Sequence, residues 1–356
     1  MKELKTYLKD TRLSQDLLLK DVVAKSGIDG ALLSKYESGL RLPSERHIRQ
    51  LADALAVDYQ LLRARWRAEQ LVQTVSEEID PGLIWSLAEP RVEYLKKHRE
   101  QVVPEVSEEL AKKLAHADKL RDQWQKTKPL NSTQLTKLKA YFDLQYIFNS
   151  NKIEGNTLTL HETALVVEQG LTIGGKSVRE HLEAINHAEA VEYLADLISS
   201  KVDFSERELL QLHHLILKGI DRLNAGRYRT APVRISGSSL IPPDHFQLAE
   251  MMEDYFGIYR RVSAHVHPII LAADMHERLV TIHPFIDGNG RTARLIMNLI
   301  LMKHGFTICN LKGDDTSRLA YYKALEQAQA DNDTSAFYDL IADAVILSLE
   351  AHLSMI

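Results

Sequence analysis

The stretch of the 356-residue chain richest in chemical groups is HPFIDGNGRTAR, from His283 to Arg294. An imidazole titrates near neutrality, so His283 can take a proton from an incoming hydroxyl. Asp287 offers a hard oxygen ligand suited to magnesium carried on phosphates. Gly288 and Gly290 permit close backbone turns, so successive amides can converge at a helix N-terminus and hold anionic oxygens. Arg291 and Arg294 lie three residues apart, near one helical face, and can reach different phosphate oxygens. The combination predicts a phosphate site, with Phe285 anchoring the loop in the core.

Other phosphate and metal motifs do not fit. The stretch lacks the GK[ST] ending of a Walker A loop and is not the glycine pattern that follows a strand in dinucleotide-binding folds. HERLVTIH, from His276 to His283, lacks the HExxH spacing of a zinc protease. Residue for residue, HPFIDGNGRTAR resembles the signature of the Fic family, with family-like features also in AGRYRT (225–230), RISGSSLIPP (234–243) and RLAYYKALEQA (318–328). That resemblance implies an all-α Fic helical fold and transfer of AMP from ATP to a Tyr, Ser or Thr hydroxyl of a protein, with autoadenylylation included. By it, His283 is the base and Asp287 holds Mg²⁺, with Mn²⁺ as a substitute. Gly288, Asn289, Gly290 and Arg291 hold phosphate, and Arg294 orients the γ-phosphate.

Upstream, SNKIEGNTLTLHE places Ser150, Glu154 and Gly155 at the spacing of the Fic inhibitory motif. The resemblance implies that Glu154 occupies Arg294 and obstructs the γ-phosphate, giving an autoinhibited protein adenylyltransferase. The same glutamate can instead position water for removal of AMP, which is one alternative. Another, of a different class, is a nucleotide-sensing, DNA-binding transcriptional regulator.

These residues need elements to hold them. Met275 to Ile282 reads as the end of one helix and Thr292 to Met302 as another with a strongly apolar face. Hydroxyl-x-x-acid patterns at Thr159/Glu162, Ser177/Glu180 and Ser205/Glu208 mark helix starts. Val233 and Ile235, a turn at Gly237-Ser238, then Leu240 and Ile241 predict one short β-hairpin. In Fic proteins the corresponding flap docks an extended segment of the target. The Fic domain is thus expected over 131–356, with an inhibitory helix near 145–155 and a core over about 205–345.

Residues 68–130 form a helical connector in this reading, with Val106, Leu110, Leu114, Ala117, Leu120 and Trp124 recurring on one face and Trp85 as a core or interface residue. Residues 1–67 carry 13 Lys+Arg and 9 Asp+Glu, locally basic within a chain of formal charge −5. Several short helices are expected there, the third capped by Asp29. The pattern, continuing through SKYESGLRLP, resembles the helix-turn-helix domain of phage-repressor-like regulators, in which Arg12 and Glu37 match positions that pair inside the bundle. The resemblance implies duplex DNA contact through Ser34, Lys35 and Arg41, and a homodimer reading two half-sites.

Composition bounds the setting. One cysteine, Cys309, permits no intrachain disulfide, and no run approaches the roughly 20 apolar residues of a membrane span. The expectation is a soluble, cytoplasmic protein. With 16 Gly and 10 Pro, long helices are favoured over a turn-rich sheet.

Overall fold

A computed structural model describes residues 3–76, 80–82, 84, 106–127, 132–200, 203–235, 240–331 and 333–356. The chain forms two compact units, Met1–Glu100 and Gln101–Ile356.

In the first unit, α1 (Leu4–Ser14), α2 (Leu19–Ser26), α3 (Gly30–Ser38), α4 (Glu45–Ala54) and α5 (Tyr59–Ser76) enclose Leu8, Val22, Leu33, Ile48, Leu51 and Leu62. Asp29 caps α3 by accepting from the amides of Ala31 and Leu32, at 3.0 and 3.1 Å. Arg12 meets Glu37 through two parallel bonds, Nε to Oε1 at 2.7 Å and Nη2 to Oε2 at 2.8 Å, and donates Nη1 to the Leu17 carbonyl. A two-pronged pair of this kind fixes α1 against α3 with more directional specificity than apolar packing supplies.

The second unit is built around two consecutive helices. α6 (Glu108–Lys126) precedes α7 (Ser132–Ile153), α8 (Leu160–Gln169), α9 (Val178–Ser199), α10 (Glu206–Leu217) and α11 (Leu248–Val262). Then come the central pair α12 (Pro268–Ile282) and α13 (Asn289–Lys303), followed by α14 (Asp315–Asp331) and α15 (Ser335–Leu353). α13 is buried almost all round, from Leu295, Ile296 and Met297 through Leu299, Ile300 and Leu301, which marks it as the core helix of its unit. α12 packs along it, and α10 and α9 cover other faces. Asn298, inside α13, donates to the Cys309 carbonyl and accepts from the Cys309 amide, tying down the chain that leaves the helix.

The helix starts follow their local chemistry. Thr159 with Glu162 and Ser177 with Glu180 form reciprocal caps, and the Ser205 amide donates to Glu208. α6 buries Leu110, Leu114, Ala117 and Trp124 and packs along α15 within the second unit. Val106 precedes that helix and is 39% exposed. Trp85 lies outside the described residues.

The expected β-hairpin is not formed: Val233, Ile235, Leu240 and Ile241 are in no strand, and there is no strand at all among the described residues. The proposed turn at Gly237 lies outside them. β-propensity needs a partner edge and a face to bury, and a lone two-stranded ribbon is marginal in water. Here Pro232, Pro242 and Pro243 remove backbone donors from the segment. Its ends are instead gathered by Arg229, which donates Nη1 to the Ala231 carbonyl and Nη2 to the Pro243 carbonyl. No helix among the described residues is long and apolar enough to cross a membrane.

Candidate active site

The loop between α12 and α13 holds most of the polar groups singled out in the sequence. His283 ends α12 in the left-handed region (φ 51°), an uncommon state for a residue with a β-carbon. Two contacts from one buried arginine hold it there: the Arg229 amide donates to the Pro284 carbonyl and its Nε to the His283 carbonyl, at 2.9 and 2.8 Å. His283 Nδ1 lies 3.1 Å from the Val280 carbonyl, which can only accept, so Nδ1 carries the hydrogen and Nε2 keeps its lone pair. Burial, reinforced by the nearby Arg229 charge, moves this imidazole below its ordinary range, so it is neutral and basic at Nε2 at neutral pH.

Phe285 roots the loop. It is fully buried and stacks on the His213 ring, with centroids 3.6 Å apart. Asn289 clamps it by accepting from the Phe285 amide and donating to the Phe285 carbonyl, both at 3.0 Å. His213 accepts at Nδ1 from the Gly226 amide, which leaves Nε2–H to donate to the Asp287 carbonyl at 2.9 Å. Burial depresses His213 to about 4, so this neutral tautomer is a fixed strut. The spacing in the sequence did not reveal that role.

Gly288, at φ 79°, takes the left-handed conformation that starts α13, and a β-carbon there would press on Ile216 and His213. At Gly290 the constraint is close approach: a β-carbon would collide with a Glu154 carboxylate oxygen.

The acidic and basic groups form two adjoining networks. In the first, Asp287 Oδ1 accepts from the Gly288 amide at 2.5 Å and from Arg291 Nη2 at 3.2 Å, while Oδ2 accepts from Arg179 Nη2 at 2.5 Å. Burial works against the Asp287 charge, but Arg291, the Gly288 amide and Arg179 outweigh it and hold the carboxyl below its usual range. Arg291 is buried with Nη1 at 3.2 Å from Glu183 Oε1, and its Nε has no hydrogen-bond acceptor.

In the second network, Arg294 is 1% exposed. Its Nε donates to Ser150 Oγ at 2.9 Å, and its Nη2 donates to the Ser150 carbonyl at 2.9 Å and to Glu154 Oε1 at 2.6 Å. Nη1 reaches Tyr321 Oη at 3.4 Å, and that hydroxyl meets His276 Nε2 at 3.1 Å. Burial disfavours the guanidinium charge, and the Glu154 carboxylate more than restores it. Gly155 follows Glu154 at φ 93° and turns the chain away from α7.

Thus His283, Asp287, Gly288, Asn289, Gly290, Arg291 and Arg294 share one loop and helix start, and Ser150 and Glu154 come to it from α7 and its end. Val233 and Ile235 make no strand beside it, and Gly237 lies outside the described residues. Ser34, Lys35 and Arg41 are exposed in the other unit, on and just after α3. Arg179, Glu183 and His213 were not expected as participants, and each arrives from a helix distant in sequence; Tyr321, which the sequence offered as a pocket-lining residue, reaches Arg294 and His276 from α14.

The donor set suits a nucleotide polyphosphate. A buried guanidinium with an orphaned Nε, beside amides at a helix start, matches what phosphate oxygens require. Among the described residues no cluster of three or more His, Cys, Asp or Glu could hold a metal alone. A single carboxylate fits magnesium, which is ordinarily shared between one or two protein oxygens, water and substrate phosphates.

Comparisons with known proteins point the same way. Residues 203–301 match the Fic/DOC family model, and residues 3–66 match a helix-turn-helix domain model. The chain is 34% identical over 244 residues to the protein adenylyltransferase Fic of Drosophila virilis, covering 68% of this chain and 49% of that protein. The Nematostella vectensis protein of the same name is 35% identical over 261 residues, covering 72% and 59%. The chain spans about half the length of the Drosophila relatives it matches. Among solved structures, Fic-1 (residues 134–508) of C. elegans superposes with a TM-score of 0.63 at 25% identity, covering 98% of each chain.

The contact at Gly290 yields a packing test. Gly290→Ala is expected to destabilise the protein by about 1–3 kcal/mol, because the methyl group meets the Glu154 carboxylate. In denaturation experiments the loss should shrink when Glu154 is also Ala. Equal losses in both backgrounds would contradict this packing.

Proposed function

The chain is a Fic-domain protein with an N-terminal helix-turn-helix region, and we propose that it is an autoinhibited protein adenylyltransferase that uses ATP to modify a hydroxyl of a protein. The single observation that carries the regulatory half is the 2.6 Å contact of Glu154 with the buried Arg294.

The chemistry follows from the loop. The target hydroxyl oxygen attacks the α-phosphorus of ATP, its proton passes to Nε2 of His283, and the bond to the departing pyrophosphate breaks. Val280 holds Nδ1–H, which leaves Nε2 as the nitrogen able to take the proton. The amides at the start of α13 and the Arg291 guanidinium stabilise charge on the phosphates without reorganising, because Asn289, His213 and Arg229 already fix the loop. Magnesium, held by Asp287, would neutralise phosphate charge when bound. Arg294 would receive the γ-phosphate, but in this conformation Glu154 accepts from its Nη2 and sets a carboxylate against the guanidinium that the phosphate needs.

Labelled AMP incorporated into the protein and into candidate targets tests this directly. Glu154→Gly should raise incorporation by about tenfold or more, the scale of one released charge-assisted contact. Combining it with His283→Ala should return incorporation to background. Unchanged incorporation in a folded Glu154→Gly protein that binds nucleotide would count against the brake.

The His283 environment sets a pH dependence. Its lowered pKa keeps the base form populated below the usual imidazole range as pH falls. The acid limb of kcat/KM for Glu154→Gly should therefore have its midpoint below about 6.5, the ordinary imidazole value. A midpoint above that value would contradict the assignment.

For the first unit, we propose duplex DNA binding through α3. The exposed Ser34, Lys35 and Arg41 and the match of residues 3–66 to a helix-turn-helix domain model support this reading. Selection from a random duplex pool should retain DNA on the full chain. Lys35→Ala and Arg41→Ala should each weaken retention and lower the salt slope by about one if they contact phosphate. Retention indifferent to both changes would exclude this surface.

A further inference from the structure

Asp287 is not simply waiting for a metal. Its Oδ1 is taken by the loop's own donors, Gly288 N and Arg291 Nη2, whereas Oδ2 is covered by Arg179 from α9. We propose that Arg179 is a resident cation that competes with the divalent metal for Asp287, so that the metal reaches this carboxylate only as the arginine leaves it. This rests on the nucleotide-site reading above and adds to it a second point of control, distinct from Glu154.

Three features suit Arg179 to that part. Its side chain is 56% exposed, unlike the buried Arg291 and Arg294, so it can move into water at little cost. Its Nε is bonded to Glu183 Oε1 at 3.1 Å, so leaving Asp287 does not strip it of every partner. Glu183 also pairs with Arg291 and accepts from Asn156 Nδ2 at 3.0 Å, which keeps this anchor in place.

The arginine is delivered by a well-braced corner. Glu180, on the same first turn of α9, accepts from the Thr157 hydroxyl at 2.6 Å, the Thr157 amide at 3.0 Å and the Ser177 amide at 2.8 Å. Those bonds, the Thr157 hydroxyl foremost, push its carboxyl down to about 2. Asn156 adds a bond to the Glu180 carbonyl at 3.1 Å. The turn that carries Arg179 is therefore fastened to residues immediately after Glu154. Both contacts that block the site, carboxylate on Arg294 and guanidinium on Asp287, issue from one folded corner.

The test uses the full-length Glu154→Gly protein and α,β-methylene-ATP, which cannot release pyrophosphate. Calorimetry gives its affinity with Mn²⁺ and with EDTA, and the ratio of the two reports how much the metal adds. Arg179→Ala should raise that ratio about two- to fivefold, the range of one partly exposed ion pair. Arg179→Lys, which keeps the cation, should stay closer to the parent. With Asp287→Asn, the Arg179→Ala change should make no difference. A ratio that is unchanged or lower in Arg179→Ala overturns the competition, a lower one assigning Arg179 to orienting Asp287 for the metal. If the nucleotide binds in neither condition, the ATP-site reading itself fails, and the two failures are thereby distinguished.

Discussion

A guanidinium kept almost wholly out of water is the constraint from which the rest of this site follows. Arg294 sits one turn into a helix that is buried on nearly every side, where an unpaired charge would be very costly. It is tolerated because Ser150 supplies a hydroxyl and a carbonyl and Glu154 supplies a carboxylate. Those partners lie on and just past a helix 140 and more residues earlier, so satisfying one cation fastens the end of α7 to the start of α13. Gly290 belongs to the same constraint, since the Glu154 carboxylate occupies the space a side chain there would need.

The loop before that helix faces the opposite problem, of holding polar backbone rigid over an apolar floor. Phe285 goes down into the core against His213, and Asn289 closes the loop on Phe285 through two bonds. Arg229 takes the carbonyl of His283 and gives its amide to Pro284. The left-handed backbone at His283 is thereby over-determined by its neighbours, the circumstance in which strained conformations persist. Its consequence for the proposed chemistry is an imidazole with one nitrogen committed to the backbone and the other available for a proton.

Much of this was legible in the sequence because it is local. The order of residues from His283 to Arg294 encodes loop, helix start and charged face together, and the hydroxyl-x-x-acid caps at Thr159 and Ser177 depend on neighbours three residues apart. The Glu154–Arg294 encounter was reached through resemblance to a family pattern, since no local spacing reports it. Arg179 and Glu183 could not be found that way: Arg179 meets Asp287 across 108 residues and looks, in its own helix, like an ordinary solvated arginine. The hairpin failed for the complementary reason. Val233 and Ile235 have the side chains of a strand, but propensity without a partner edge does not make one, and the prolines around them and the grip of Arg229 on both ends favour irregular backbone.

The central claim is that Glu154 excludes the γ-phosphate by occupying Arg294, and calorimetric binding of ATP and ADP to the wild type and Glu154→Gly measures it most directly. The account predicts that the substitution strengthens ATP binding more than ADP binding, because only ATP brings the phosphate that Arg294 would receive. Equal gains for the two nucleotides, or none for ATP, would contradict it.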